Sequence, residues 1–178
     1  EIIMDKFGYI TQTMARDFKA FDVERAFAYN SSFDEKVFNF NCDWFKCINP
    51  FDTIPISDIR GFVHHFMIDE NFFKWAEEHG AFTESGNYST TAETITQYIR
   101  NNPDFSEDHT ALSDTLIETE ILFYCLDKGA DINGDYTSRR SIPRKIKKVF
   151  TIDTKEGKFT IEGESATYYK AKNTFKIR

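Results

Sequence analysis

No apolar run in this chain approaches the roughly 20 residues that a helix needs to cross a bilayer. Nor does any segment combine the basic start, short apolar stretch and small-residue cleavage site of a secretory leader. These absences exclude a membrane-spanning helix and favour a soluble protein kept in the cytoplasm. Cysteine is scarce and odd in number, with only Cys42, Cys47 and Cys125. The Cys-x4-Cys spacing has no second His or Cys pair to complete a zinc site, so the three read as buried free thiols of a reducing compartment. There is no internal repeat and no low-complexity tract. Methionine is missing from position 1, and the first one is Met4, which leads to the expectation that something precedes Glu1. Positive charge is in deficit, 22 Lys and Arg against 29 Asp and Glu.

What is abundant is aromatic. With 19 Phe, 8 Tyr and 2 Trp among 178 residues, 40% of them hydrophobic, the chain has enough apolar volume for one main core. Its 29% charged residues keep the exterior solvated. The charge is unevenly spread. Residues 1–134 hold 10 basic and 24 acidic residues, a balance of −14, whereas residues 135–178 hold 12 and 5, a balance of +7. This divides the chain into an acidic body over 1–134 and a basic, β-rich extension over 135–178.

Along the body, Ile3, Phe7, Ile10, Met14 and Phe18 recur at the three-and-four spacing of a helix face. A strand is predicted over 25–30, then a segment over 33–47 that begins helical and becomes irregular, and a second buried strand within TIPISDI, 53–59. Residues 61–80 predict one or two helices closed by Gly80. Thr90-x-x-Glu93 resembles a capping box opening a helix that Asn101-Asn102-Pro103 stops. A long helix is predicted from about Thr110 to Lys128, with Leu112, Leu116, Phe123 and Leu126 as apolar positions and Gly129 as its cap. Beyond the linker ADINGDY, short β-rich runs separated by Lys155-Glu156-Gly157 and Gly163-Glu164-Ser165 predict a hairpin or meander.

Two stretches carry residues suited to chemistry. In AYNSSFD a predicted strand runs into Asn30-x-x-Phe33-Asp34, placing an amide and a carboxylate at the mouth of the core. In HTALSD, His109 and Asp114 stand five apart. On one helix they would point roughly 140° from each other, so cooperation requires His109 in the preceding turn and Asp114 in the first helical turns.

The order of the pieces (strand ending Asn-x-x-Phe-Asp, a β-branched strand ending in Asp, helices, then His-x-Ala-Leu-x-Asp opening a long helix) resembles the DEDDh family of 3′–5′ exonucleases, in its phage-type form. The resemblance covers about residues 20–128. It implies an α/β, ribonuclease-H-like exonuclease fold, here lacking its N-terminal strands and followed by the small β extension. AYNSSFD looks like the second exonuclease motif, PISDI like the strand that follows, and HTALSD like the third motif. In such enzymes two divalent ions, Mg²⁺ or Mn²⁺, work together: one generates hydroxide and the other stabilises the departing 3′ oxygen. The resemblance implies that Asp114 and Asp34 ligate metal and that His109 is the general base. It also implies that Asn30 and Phe33 orient the motif or pack the terminal nucleotide, and that the substrate is the 3′ end of single-stranded DNA or RNA.

The first motif, Asp-x-Glu, has no counterpart in residues 1–27. Asp22 and Glu24 in FDVE lie too near Asp34 to be it and read as a solvated turn. The chain is therefore expected to be the back part of a longer nuclease and inactive by itself. The alternative is a ribonuclease-H-like module that binds nucleic acid or protein without hydrolysis. His64, His65 and His79 read as helix surface or boundary residues, the aromatics Phe38, Phe40, Trp44, Phe45 and Phe51 as core, and Glu118 and Glu120 as exposed helix charges. The run RRSIPRKIKK supplies Arg139, Arg140, Arg144, Lys145, Lys147 and Lys148 without one acid, a cluster suited to phosphate contacts that hold a strand without reading its sequence.

Overall fold

The computed structural model describes residues 2–139, 141–144, 148–154, 157–163, 166–169 and 174–177. Its elements run α1 Ile2–Ala20, β1 Ala26–Ala28, α2 Ser31–Phe45, a 3₁₀ turn Pro50–Thr53, β2 Ile56–Asp58, α3 Ile59–Phe66, α4 Glu70–His79, α5 Ala92–Arg100 and α6 Ala111–Asp127. Strands β3 Lys148–Thr154, β4 Gly157–Gly163, β5 Ala166–Tyr169 and β6 Thr174–Ile177 follow. The architecture is mixed α/β and mostly helical, built on a two-stranded parallel sheet in which Ala26, Phe27 and Ala28 face Ile56, Ser57 and Asp58. Two antiparallel hairpins, β3–β4 and β5–β6, make up the C-terminal part.

Local chemistry explains most boundaries. Asp58 caps α3 by accepting the Arg60 amide at 3.0 Å, and Asp69 caps α4 by accepting from Asn71 and Phe72. Such side-chain acceptors satisfy amides that the helix itself leaves unpaired. Gly80 closes α4 at φ 67°, a conformation that costs glycine nothing. The cap of α5 is Thr91, whose hydroxyl accepts the Thr94 amide, and not the predicted Thr90. Thr90 is instead buried, with its carbonyl accepting the Tyr29 hydroxyl at 2.6 Å.

The main core joins α3, α4, α5 and α6 through Ile59, Phe62, Val63, Phe72, Trp75, Ile95, Ile117 and Ile121. Phe72 is its hub, with ring contacts to Trp75, Tyr88 and Tyr98. Phe27 of β1 meets Phe62 edge-on and so fastens the sheet to this core. A second aromatic layer, Phe7, Phe18, Phe38, Phe45 and Phe51, binds α1 to α2 and to the 3₁₀ turn.

Several expectations change here. Segment 33–47 is helical almost throughout, since α2 extends to Phe45. Its Phe40 and Trp44 are exposed rather than core, stacked on each other at 6.1 Å. Strand β2 is three residues of intermediate burial, not a buried strand. On α6 the residues Ile117, Ile121 and Cys125 form the stripe that is buried. Leu112, Leu116 and Phe123 lie on another face and are 72%, 62% and 58% exposed. The helix is apolar on two faces, and only contact with α3 and α5 selects which one is covered. His64 is buried, not a boundary residue: its Nδ1 accepts the Arg139 amide at 2.8 Å, which leaves Nε2 to donate to the Thr90 hydroxyl at 3.3 Å. Cys42 and Cys125 are buried free thiols as expected, and Cys47 is partly exposed.

Candidate functional site

Strand β1 aims the AYNSSFD segment. It ends at Ala28, and Asn30 then turns in the left-handed region at φ 63°, with its amide donating to Asp58 Oδ1 at 2.8 Å. Asp58 thus holds both the start of α3 and the turn into α2. That turn places Phe33 and Asp34 in the first turn of α2, both exposed, Phe33 by 63%.

The opposite wall comes from α6. Thr110 caps this helix by accepting the Ser113 amide at 3.2 Å. His109, immediately before the cap, has φ 52°, a conformation uncommon outside glycine though better tolerated by His than by most residues. As the spacing required, the imidazole leaves the preceding turn while Asp114 stands in the first turn of the helix. The donor atoms of Glu107, His109 and Asp114 lie within 4.8 Å of one another. His109 Nδ1 is 3.7 Å from Glu107 Oε2, and the imidazole is 78% exposed while the Glu107 side chain is 13% exposed.

The cluster extends one turn further along α6. Glu118 follows Asp114 by four residues and so shares its face; its Oε2 accepts the Tyr29 amide at 3.1 Å. Burial holds the Glu118 carboxyl above the usual glutamate range, Asp34, Asp114 and Glu107 push the same way, and the Tyr29 hydrogen bond opposes them. Burial likewise raises Glu107, with Glu93 and Asp114 adding and His109 opposing. The charges of Asp34 on α2 and of Asp114 and Glu107 thus all act on Glu118.

Two oxygens of this centre, Glu107 Oε1 and Asp114 Oδ1, are buried without a hydrogen-bond partner. A buried carboxylate oxygen without a donor is costly, and more so beside like charges. A hard divalent cation bound by carboxylate oxygens removes both costs, so the donor set suits Mg²⁺ or Mn²⁺. Glu107, Asp114 and His109 could hold such an ion, whereas the exposed Asp34 and the Tyr29-bound Glu118 are not among the grouped donors. Sequence reasoning passed over Glu107 and read Glu118 as an exposed charge. The available signals were the two-residue offset of Glu107 from His109 and the one-turn offset of Glu118 from Asp114. Glu120 is a surface partner of Arg100, at 2.5 Å.

Of the basic run, the side chains of Arg139 and Arg144 are described. Arg144 is committed to Glu77 on α4 and stacks over Phe82 at 4.0 Å. Arg139 is exposed, with its amide on His64. Arg140, Lys145 and Lys147 lie outside the described residues, as does the side chain of Lys148. No described helix is long and apolar enough to cross a membrane. A scan against protein-family models, a search of curated proteins and a search of solved structures each returned no match.

Proposed function

We propose that this chain carries the second and third motifs of a divalent-metal-dependent 3′–5′ exonuclease of the DEDDh type, on a ribonuclease-H-like fold. The observation that supports it best is the pair of buried, donorless oxygens of Glu107 and Asp114 beside His109, at the entrance of the helix where the motif resemblance puts the site. In this reading Asp114 and Glu107 hold Mg²⁺ or Mn²⁺, Asp34 faces it from α2, and the exposed imidazole of His109 takes the proton of the attacking water. The metal supplies charge stabilisation at the phosphodiester and lowers the pKa of that water. The remaining acids of the family set are absent from residues 1–27, so the chain alone is not expected to cleave. Single-stranded DNA or RNA ends are the proposed substrate.

Titration of the chain with Mn²⁺, followed by calorimetry and by the electron paramagnetic resonance of the free ion, tests this reading. Saturable binding that Asp114→Asn weakens by roughly tenfold or more is expected from the loss of one charged ligand. Binding that is absent, or indifferent to Asp114→Asn, removes the basis of the nuclease reading. A second reading, a ribonuclease-H-like module that binds nucleic acid or protein without hydrolysis, is favoured by the lack of an Asp-x-Glu pair. It requires affinity for single-stranded DNA or RNA that persists in a chelator.

A further inference from the structure

Behind the acidic centre, on the other side of Tyr29, lies a cavity of about 380 Å³ that Tyr29 and Asn30 of AYNSSFD also line. Its walls come from the end of β1, from α3, from the loop 82–90, from the start of α5 and from Ser141. Although residues 1–134 carry a balance of −14, no carboxylate lines it among the described residues. Among the described residues its one charged side chain is Arg60.

Arg60 is poorly employed by the protein. A guanidinium offers five N–H donors in a planar fork. Here Nε is buried without a partner, and Nη2 makes one long contact of 3.5 Å to the Thr90 hydroxyl. Among the described residues no carboxylate lies within 4.0 Å of it. The neighbouring His64 does not supply a second charge, since burial and then the Arg60 charge push its pKa down to about 4. Around this cation the cavity presents Ser141 and the side chains of Thr83, Ser85 and Asn87, which also bond one another. Ala92, at the first position of α5, also lines it; Thr91 caps the Thr94 amide but not that of Ala92, and a helix N-terminus favours an anion.

We infer that this cavity is a binding site for a phosphate group, with the Arg60 guanidinium as its cationic anchor and the surrounding hydroxyls and amides as its remaining donors. A compact oxyanion with several acceptor oxygens matches one forked cation among neutral donors. The site is separate from the acidic centre: Tyr29 divides them, its hydroxyl on Thr90 and its amide on Glu118. It needs neither metal nor hydrolysis, so its failure and the failure of the nuclease reading are independent.

The test is calorimetric titration of the full chain, in chelator, with inorganic phosphate and separately with a nucleoside 5′-monophosphate. Saturable one-to-one binding of at least one is expected. Arg60→Met should weaken it by roughly ten- to a hundredfold, the usual worth of a hydrogen bond to a charged group. Ser141→Glu, at an exposed position on the cavity wall, should weaken it similarly by placing a like charge there, and this variant decides the matter should Arg60→Met fail to fold. Equal affinities for the two ligands mean that the phosphate alone is held; tighter binding of the nucleotide means that its nucleoside is held too. Binding of neither ligand, or binding that both substitutions leave unchanged, overturns the inference.

Discussion

The amide of Tyr29 donates to the carboxylate of Glu118 at 3.1 Å, across 89 residues of chain. In the parallel ladder the amides of Ala26 and Ala28 turn toward β2, so those of Phe27 and Tyr29 turn to the other edge. Among the described residues no third strand pairs there. A side chain of α6 therefore occupies, at Tyr29, the place that a neighbouring strand's carbonyl would take. The charges of Asp34, Asp114 and Glu107 all raise the pKa of the same carboxylate, so one residue links the sheet edge to the acidic centre.

This double duty separates two substitutions. Glu118→Ala leaves the part-buried Tyr29 amide without an acceptor and should lower stability by about 1–3 kcal/mol. Glu118→Gln keeps an acceptor and removes a charge from a crowded cluster, so the metal-free protein should be no less stable than wild type. Chemical denaturation of both variants checks the contrast; equal losses would mean that the carboxylate's charge, not its acceptor oxygen, supports the fold.

The acidic centre also sets a pH dependence. Glu107 and Glu118 hold their protons to higher pH in the folded chain than in the unfolded one. As pH rises from the ordinary glutamate range through the raised values, the unfolded state ionises first, and the native state loses stability. The melting temperature of metal-free Glu107→Gln should fall less over this window than that of wild type, and Mg²⁺ should restore wild type above it. A wild-type slope that neither the substitution nor the ion alters would count against the cluster.

His64 works in the opposite direction. Buried and held neutral, with its pKa lowered to about 4, it resists a proton that the unfolded chain accepts at about 6.5. Its contribution is present above that value and is lost as pH falls toward 4. His64→Gln should flatten this acid limb in thermal melts between pH 7 and 4, and an unchanged limb would assign the acid sensitivity elsewhere.

Gly61 tests how the segment after α6 is seated. A Cβ here would lie 1.8 Å from the Tyr136 carbonyl oxygen, while the Tyr136 ring packs edge-on against Phe62 and Phe66 at 4.7 and 5.0 Å. Gly61→Ala should cost about 1–3 kcal/mol or more, the usual penalty of overpacking. It should also expose the stretch 136–139, which limited proteolysis would detect as new cleavage. Wild-type resistance would show that Tyr136 gives way without loss.

Asp58 should be less tolerant than its intermediate burial suggests. One oxygen, Oδ1, accepts both the Asn30 amide and the Arg60 amide. Asp58→Ala removes a helix cap and frees the turn that aims Asp34, at a cost of roughly 2 kcal/mol, and Mn²⁺ affinity should fall with it. Unchanged affinity would uncouple the turn from the centre.

Short-range physics made much of this legible before any coordinates. The spacing of Ile3, Phe7, Ile10 and Met14 is a helix in any context, and Gly80 and Thr110 mark ends because αL backbone and free amides need those residue types. The five-residue offset of His109 and Asp114 implied a turn followed by a helix, and that is the arrangement found.

What the chain could not declare locally is which of two competing surfaces each element covers. On α6 the stripes through Ile117 and through Leu116 are both apolar, and burial of the first depends on where α3 and α5 lie. Thr90 and Thr91 are both competent caps; the core claims Thr90, so Thr91 becomes the cap. Glu118 reads as an ordinary exposed helix acid until β1 brings the Tyr29 amide to it from 89 residues away. Arg60 looks like a surface charge until loop 82–90 and Ser141 close around it. Sequence determines the elements, since their free energies are set within a few residues. Tertiary structure alone decides the burial of Glu118 against Tyr29 and the walls of the phosphate cavity, because these bring together groups that chain separation keeps apart until the core forms.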